Sequence, residues 1–334
     1  MRIQMKQNDH INSLICNLRN KMAAFRFLVS LFLVCAFLFF PAILAATERF
    51  QIELYGGISF INPKDFNLFS QAEKHYNDIF FIEYLRSYDG YFVNEFPEMR
   101  EVIPAGLRLR YHISEKFSFS LAAEGFTQTK EKTFEGSFGY STTARENHTK
   151  RYDPYRLKVS AYSVMGGVHY RLPVGSKTDI EAAAAAGWSK ANFKFSSNWS
   201  YETIYQATSI SYQAVDGGVL EGEGSGHGFA AQASLRLNRM LGKRFGFFVE
   251  TGYHYCRMNS LQGSGRETRI GIPGETTWEG TWGIKKEEIQ TLWGDKTVSI
   301  PTNYWDFWTE AQHERDLVLD LSGFRLILGI CFKF

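Results

Sequence analysis

The sequence predicts an all-β protein: an eight-stranded antiparallel up-and-down transmembrane β-barrel with long extracellular loops. Three observations carry that prediction. Apolar residues alternate with a period of two in eight separate segments, the connections between them alternate between short and long, and an export-type segment stands at the N-terminus.

Composition sets the frame. The 334 residues are 44% hydrophobic and 16% aromatic, which is too apolar for a disordered chain. Lys and Arg number 37 against 35 Asp and Glu, a net charge of +2, without the clustered basic excess of a nucleic-acid binder. The mean hydropathy of −0.25 excludes a bundle of many membrane helices.

The N-terminal element is the apolar run Phe27 to Ala46, preceded by Arg19, Lys21 and Arg26 and ending in the small residues Ala45 and Ala46. Basic flank, apolar stretch and small-residue exit make residues 1–46 a signal peptide, cleaved after Ala45 or Ala46, with Met22 as a second candidate start. The competing reading is a membrane anchor, because the run is just long enough to span. A lipid anchor on Cys35 is disfavoured by Val34, where a small residue belongs. Residues 47–334 form the mature domain, with Cys256 and Cys331 as its two thiols. Both point inward on adjacent strands, but near opposite ends, so no disulfide is expected.

The strands follow in order. The first carries Phe50, Ile52, Leu54, Ile58 and Phe60 on one face; the second carries Ile103, Ala105, Leu107, Leu109, Tyr111 and Ile113. The third runs from Phe117 and the fourth from Tyr162; the others are 180–188, 229–237, 245–255 and 324–334. Each is near the ~10 residues a tilted membrane strand needs. Short links are centred on Ser114-Glu115-Lys116, on residues 173–177 and on residues 240–243. Residues 61–100, 128–156, 191–226 and 257–316 are the long loops. Short turns at one end and long loops at the other are the habit of outer-membrane barrels.

The C-terminus alternates Leu328, Ile330 and Phe332 and finishes on Phe334. This pattern resembles the recognition signal of bacterial outer-membrane barrel proteins, and the chain from Phe50 to Phe334 is similar to the small OmpA-type and OmpW-type barrel families. The resemblance implies residence in the cell outer membrane after export through the periplasm. It also implies contact with the barrel-assembly machinery, with membrane lipid and with lipopolysaccharide.

If the apolar face meets lipid, the alternate face fills the lumen. Those positions hold Glu53 on the first strand, Arg108 and Arg110 on the second, Glu124 on the third, and His169 and Arg171 on the fourth. Glu181, Arg236, Glu250 and Arg325 follow on the fifth to eighth. Odd strands carry acid and even strands carry base, so neighbouring strands are expected to pair charges around the circumference. An eight-stranded interior is only wide enough for side chains, which makes this an ion-pair plug. The alternative is a selectivity gate that passes small or apolar solutes.

In the first loop Asp65 is a candidate helix cap, ahead of Leu68, Ala72, Tyr76 and Ile79 at helical spacing. The last loop holds Trp278, Trp282, Trp293, Trp305 and Trp308, either an aromatic surface for an extracellular ligand or packing for a sheet extension. Residues 222–228 are glycine-rich but lead into a strand and lack the lysine of a phosphate loop. His75, His148, His227, His254 and His313 form no recognisable catalytic or metal-binding constellation with Ser225, Asp320 or Ser322, and no cofactor is implied. The expected function is a structural or surface-interaction role. A narrow channel is second, and an enzyme acting on lipid A or peptides is third.

Overall fold

The computed structural model describes residues 49–67, 89–94, 98–141, 145–207, 210–270, 272–293, 296–306 and 315–334. The signal peptide, Leu68, Ala72, Tyr76, Ile79, His75, His313 and Trp308 lie outside those residues. Sixteen strands are described: β1 (Phe50–Ile61), β2 (Asp89–Asn94), β3 (Glu101–Val102), β4 (Ala105–His112), β5 (Phe117–Ser141), β6 (Arg145–Pro173), β7 (Thr178–Ala207), β8 (Ile210–Met240), β9 (Phe245–Met258), β10 (Gln262–Arg269), β11 (Ile272–Thr281), β12 (Gly283–Trp293), β13 (Lys296–Asp306), β14 (Arg315–Asp316), β15 (Leu319–Asp320) and β16 (Gly323–Lys333).

Eight of them close a ring. β1, β4, β5, β6, β7, β8, β9 and β16 pair in that order, each antiparallel to the next, and β16 returns to β1. The predicted barrel is therefore present. Its three short turns are built alike, with Ile113, Val174 and Leu241 N–H groups donating to the Phe117, Thr178 and Phe245 carbonyls at 3.0, 3.1 and 2.9 Å.

The register fixes the shape. From Phe50 the successive cross-strand partners are Tyr111, Phe119, Val168, Ala184, Ala233, Tyr253 and Phe324, and the last is paired with Phe60, ten residues further along β1. Eight strands with that stagger, spaced ~4.8 Å apart and rising ~3.3 Å per residue, tilt by ~40° around a radius of ~8 Å.

The outer surface is the apolar face read from sequence. Phe119, Leu121, Val164, Val168, Leu235, Leu326 and Leu328 are exposed on it. Aromatic pairs mark its two borders. Phe50–Tyr111, Phe117–Tyr170 and Phe245–Phe332 (ring centroids 5.1, 5.0 and 5.2 Å apart) ring the end that holds the short turns. Tyr162–Trp188 and Phe229–Tyr255 stand at the other end. Phe245 and Tyr255, ten residues apart on β9, are separated by about 25 Å along the membrane normal, the height of a bilayer-spanning belt.

Two of the four long loops are not loops. β5, β6, β7 and β8 run for 25, 29, 30 and 31 residues without a break, so the described residues of 128–156 and 191–226 are ladders that carry the sheet past the membrane. Part of 257–316 is also strand: β10 and β11 extend the same sheet from β8, and β12, β13 and β14 make a separate three-stranded sheet. The sequence reading stopped these strands where apolar alternation stops. Outside the bilayer the outward face has no need to be apolar, so the pattern fades while the pairing continues.

Inside, the outward half holds a hydrophobic core that the sequence reading had not placed there. Phe134, Leu157, Val159, Phe193 and Phe195 on the inner face of the prolonged strands meet Phe66, Met99, Met258, Leu261, Leu317, Leu319 and Leu321 from the segments folded over the mouth. Trp282 belongs to this core at 4% exposure, so of the two roles read for it, packing of a sheet extension holds and an aromatic ligand surface is corrected. Trp278, Trp293 and Trp305 fall on β11, β12 and β13. The glycine run of β8 makes the seat for Trp282. A Cβ on Gly224 would lie 2.9 Å from the indole nitrogen, and one on Gly263 opposite would lie 2.7 Å from it. That nitrogen donates to the Glu223 carbonyl at 3.1 Å.

Trp282→Ala therefore empties the centre of this core at a cost of about 3–5 kcal/mol. In limited trypsin digestion the variant is expected to lose the extension while the membrane barrel persists as a heat-modifiable band. An extension as resistant as wild type would contradict the packing described.

Candidate functional site

Inward parity places a charged cluster in the membrane-spanning half of the barrel. Among the described residues four glutamates (Glu53, Glu124, Glu181, Glu250) and four arginines (Arg108, Arg110, Arg236, Arg325) are buried there. Glu53 is the hub: Arg236, Arg110 and Arg108 approach its two oxygens at 2.6, 3.0 and 3.2 Å. Arg108 also reaches Glu250 at 2.8 Å and Arg110 reaches Glu181 at 2.8 Å. Arg325 holds Glu124 through two parallel bonds of 2.9 and 2.7 Å, the fork geometry that suits guanidinium to carboxylate.

Most of these pairs are chords. Arg108–Glu250, Arg110–Glu181, Arg236–Glu53 and Arg325–Glu124 each join strands three apart in the ring. The expectation that adjacent strands pair their charges holds where Arg108 and Arg110 meet Glu53 across β1 and β4, and is corrected for the four chords. Arg171, whose cross-strand partner is Glu181, instead binds Asp179 at 2.5 Å, and Arg236 stays 3.9 Å from its cross-strand partner Glu181. A lumen of ~8 Å radius lets an extended arginine reach across the bore to a carboxylate three strands away.

Polar neighbours absorb the remaining hydrogen-bonding capacity. Gln51 donates to Glu53 and Gln232 to Glu250, both at 2.6 Å, while Tyr55 donates to Glu124 at 3.1 Å. His254 Nδ1 accepts from Arg325 at 2.9 Å, His169 meets Ser120 at 2.8 Å, and Asn238 donates to Asp179 at 2.7 Å. The Arg236 guanidinium lies 3.4 Å from the centroid of the Phe248 ring. The sequence reading missed Gln51, Tyr55, Asp179, Gln232, Asn238 and Phe248. All have inward parity, so the signal was present, but Asp179 lies one residue before the 180–188 segment and the others are neither carboxylates nor cationic side chains.

The cavities that remain beside Arg325 and beside Arg108 have volumes of ≈ 20 and ≈ 10 Å³, room for about one water each. Above the ions sits the apolar core, and above that the mouth is tied. Asp65, in a helical turn at residues 64–67, accepts two bonds of 2.6 Å from Arg315 and one of 2.9 Å from the Val318 N–H. Asp65 thus clips two loops together, where the sequence reading made it a helix cap. Cys256 and Cys331 are both buried, and neither is in a disulfide. His148 and Ser137 pair at 2.9 Å on the extension, and the Ser322 hydroxyl accepts from the Cys256 N–H at 3.0 Å.

A second site lies on the outward face of the extension. A groove of ≈ 700 Å³ crosses β6, β7, β8, β10 and β11, lined by Arg156, Lys158, Lys194, Ser196, Glu221, Glu223, Ser264, Arg266 and Glu279 among others. Its charges run in cross-strand ladders. Arg156 meets Glu131 at 3.1 Å, Lys194 meets Glu223 at 2.5 Å and Arg266 meets Glu221 at 2.6 Å. The hydrogen bond that Arg266 donates to Glu221 holds its guanidinium above its ordinary pKa.

No protein-family model matches the chain, and no curated protein matches it. Solved structures do. The attachment invasion locus protein Ail of Yersinia pestis aligns at 9% identity over 86% of this chain and 100% of its own, with a TM-score of 0.23. CarO of Acinetobacter baumannii aligns at 11% identity over 69% of this chain and 92% of its own, TM-score 0.28. The toluene transporter TodX of P. putida aligns at 6% over 86% and 91%, TM-score 0.16. None of these likenesses bears on ligand or activity. The closed ring, apolar belt and polar lumen make the chain a transmembrane β-barrel of the outer-membrane type.

Glu53→Ala removes the one carboxylate that three arginines share and leaves them buried against one another. The folded barrel is expected to lose about 3–5 kcal/mol. The readout is the urea midpoint of the heat-modifiable form in detergent, and an unshifted midpoint would mean the cluster is not held by Glu53.

Proposed function

We propose that this protein is a closed anchor: an outer-membrane barrel of OmpA-type or OmpW-type architecture that holds a rigid β-extension outside the cell for contact with external partners. The lumen cluster (Glu53, Arg108, Arg110, Glu124, His169, Arg171, Glu181, Arg236, Glu250 and Arg325) serves as the barrel's core. One observation supports this above all: the apolar core beginning at Ala161, Ala191 and Cys256 fills the barrel directly above the ion cluster. Ions crossing such a layer would have to shed water with nothing to replace it. Leu328, Ile330, Phe332 and Phe334 alternate along the lipid face of the last strand, where the assembly machinery would meet them. The Phe334 N–H donates to the Phe50 carbonyl at 3.0 Å, closing the ring next to that signal.

Planar-bilayer recording of the refolded mature protein is the test. Wild type is expected to be silent, and Glu250→Ala is expected to stay silent too, because the apolar layer is untouched by it. Discrete openings in wild type would replace this reading with the narrow-channel one. Openings in Glu250→Ala alone would make the ions, rather than the apolar core, the seal.

A further inference from the structure

The end of the barrel that holds the short turns repeats one residue type at one position. Immediately before each strand that rises from this end stands a cation: Arg49 before β1, Lys116 before β5, Lys177 before β7 and Arg244 before β9. All four are held alike. Their carbonyls accept an N–H from the strand alongside, Arg49 from His112, Lys116 from Arg171, Lys177 from Met240 and Arg244 from Lys333, each at 2.8 Å. Counted back from the buried Gln51, Ser118, Asp179 and Phe248, the four positions have the parity of the lumen. β1, β5, β7 and β9 alternate with the other four strands of the ring. On a radius of ~8 Å, neighbouring members of the set are therefore ~11 Å apart.

Among the described residues no carboxylate side chain pairs with Lys116, Lys177 or Arg244, and Arg49 meets the Tyr111 hydroxyl at 3.4 Å. Just inside the ring Lys333 is half-buried and likewise unmatched, while Arg171 is tied to Asp179 at 2.5 Å. Glu115 is the one acidic side chain exposed on the three turns, which also carry the exposed Lys243. The mouth is thus a shallow basin, closed behind by the ion cluster, with cations on its rim and on its floor. Its low-dielectric wall focuses that positive field along the bore axis. Lipid phosphates lie outside the wall, and positions with lumen parity stand on its other side. What lies beneath an outer-membrane barrel is the cell wall, a fixed polymer whose stem peptides bear free carboxylates at every repeat. Several weak attractions to one immobile polymer multiply into firm attachment.

We propose that the short-turn mouth of the barrel is a docking site for the acidic stem peptides of the cell wall, with Arg49, Lys116, Lys177 and Arg244 as its rim and Lys333 as its floor. The inference goes beyond the closed-anchor reading. It rests on the orientation of the barrel, with the short turns toward the periplasm.

The test is co-sedimentation of the refolded mature protein, in detergent at low salt, with purified peptidoglycan sacculi. Wild type is expected to sediment with them and to be released as added salt screens the attraction. Lys116→Ala/Lys177→Ala/Arg244→Ala, checked for folding by its heat-modifiable band, is expected to bind roughly a hundredfold more weakly, at about fivefold for each cation lost. Lys150→Ala/Lys190→Ala/Arg257→Ala, with the same charge removed from the opposite half of the molecule, is expected to bind as wild type does. Sacculi whose carboxylates have been capped as amides are expected to retain little of the unmodified protein, a comparison that needs no variant to fold. Affinity within twofold of wild type for the first variant would overturn the proposal. So would equal binding to the capped sacculi. Release by phosphatidylglycerol micelles at equal concentration of negative charge would overturn it too, and make a lipid the partner. None of these results touches the bilayer recording, so failure here and failure of the closed-anchor reading are separable.

Discussion

Everything in this molecule follows from the requirement that no backbone N–H or C=O face hydrocarbon unpaired. Eight strands meet it by closing on themselves, and the ten-residue stagger of that closure sets tilt and radius together. The radius in turn decides the lumen. It is too narrow for bulk water and too wide for small side chains, so long ones must fill it. Arginine and glutamate do so in matched numbers, and the width that admits them also makes their contacts run across the barrel.

The lumen cluster is costly to assemble and costly to break. Each guanidinium leaves water, and what compensates is a carboxylate within 3.2 Å together with amide, hydroxyl, ring and phenol partners. Farther out the same barrel wall is lined by Leu157, Val159, Phe193 and Phe195, where desolvation needs no compensation. The two layers divide the work. The ionic layer fixes register through specific partners, while the apolar layer closes the bore and supports the segments that cross the mouth.

Much of this was legible in the sequence, and the limits have physical causes. Phe50, Ile52 and Leu54 alternate against Gln51, Glu53 and Tyr55 because one face meets lipid, so strand and facing could be read residue by residue. Beyond Tyr162 and Trp188 the outward face meets water or headgroups, and Lys158, Asn192 and Glu223 carry no periodic signal although the strands continue. The chords were hidden for another reason. That Arg236 meets Glu53 depends on the closure of the whole ring, which no local pattern encodes. Gly224 stood in a glycine-rich run that lacks the lysine of a phosphate loop, yet with Gly263 it is the hollow in which Trp282 lies, a relation between positions far apart in the chain.

The unbroken ladders of β7 and β8 have a consequence for how such a molecule can change. Because alternate residues look to opposite sides, lengthening or shortening this hairpin by one residue would turn Lys194 and Glu223 toward the apolar core and Phe193 outward. Only even steps, taken on both limbs at once, preserve what each side offers. The reach of the extension above the cell is thus quantised, and each permitted increment also swings its outer face sideways over the bilayer, since the strands lean as they climb.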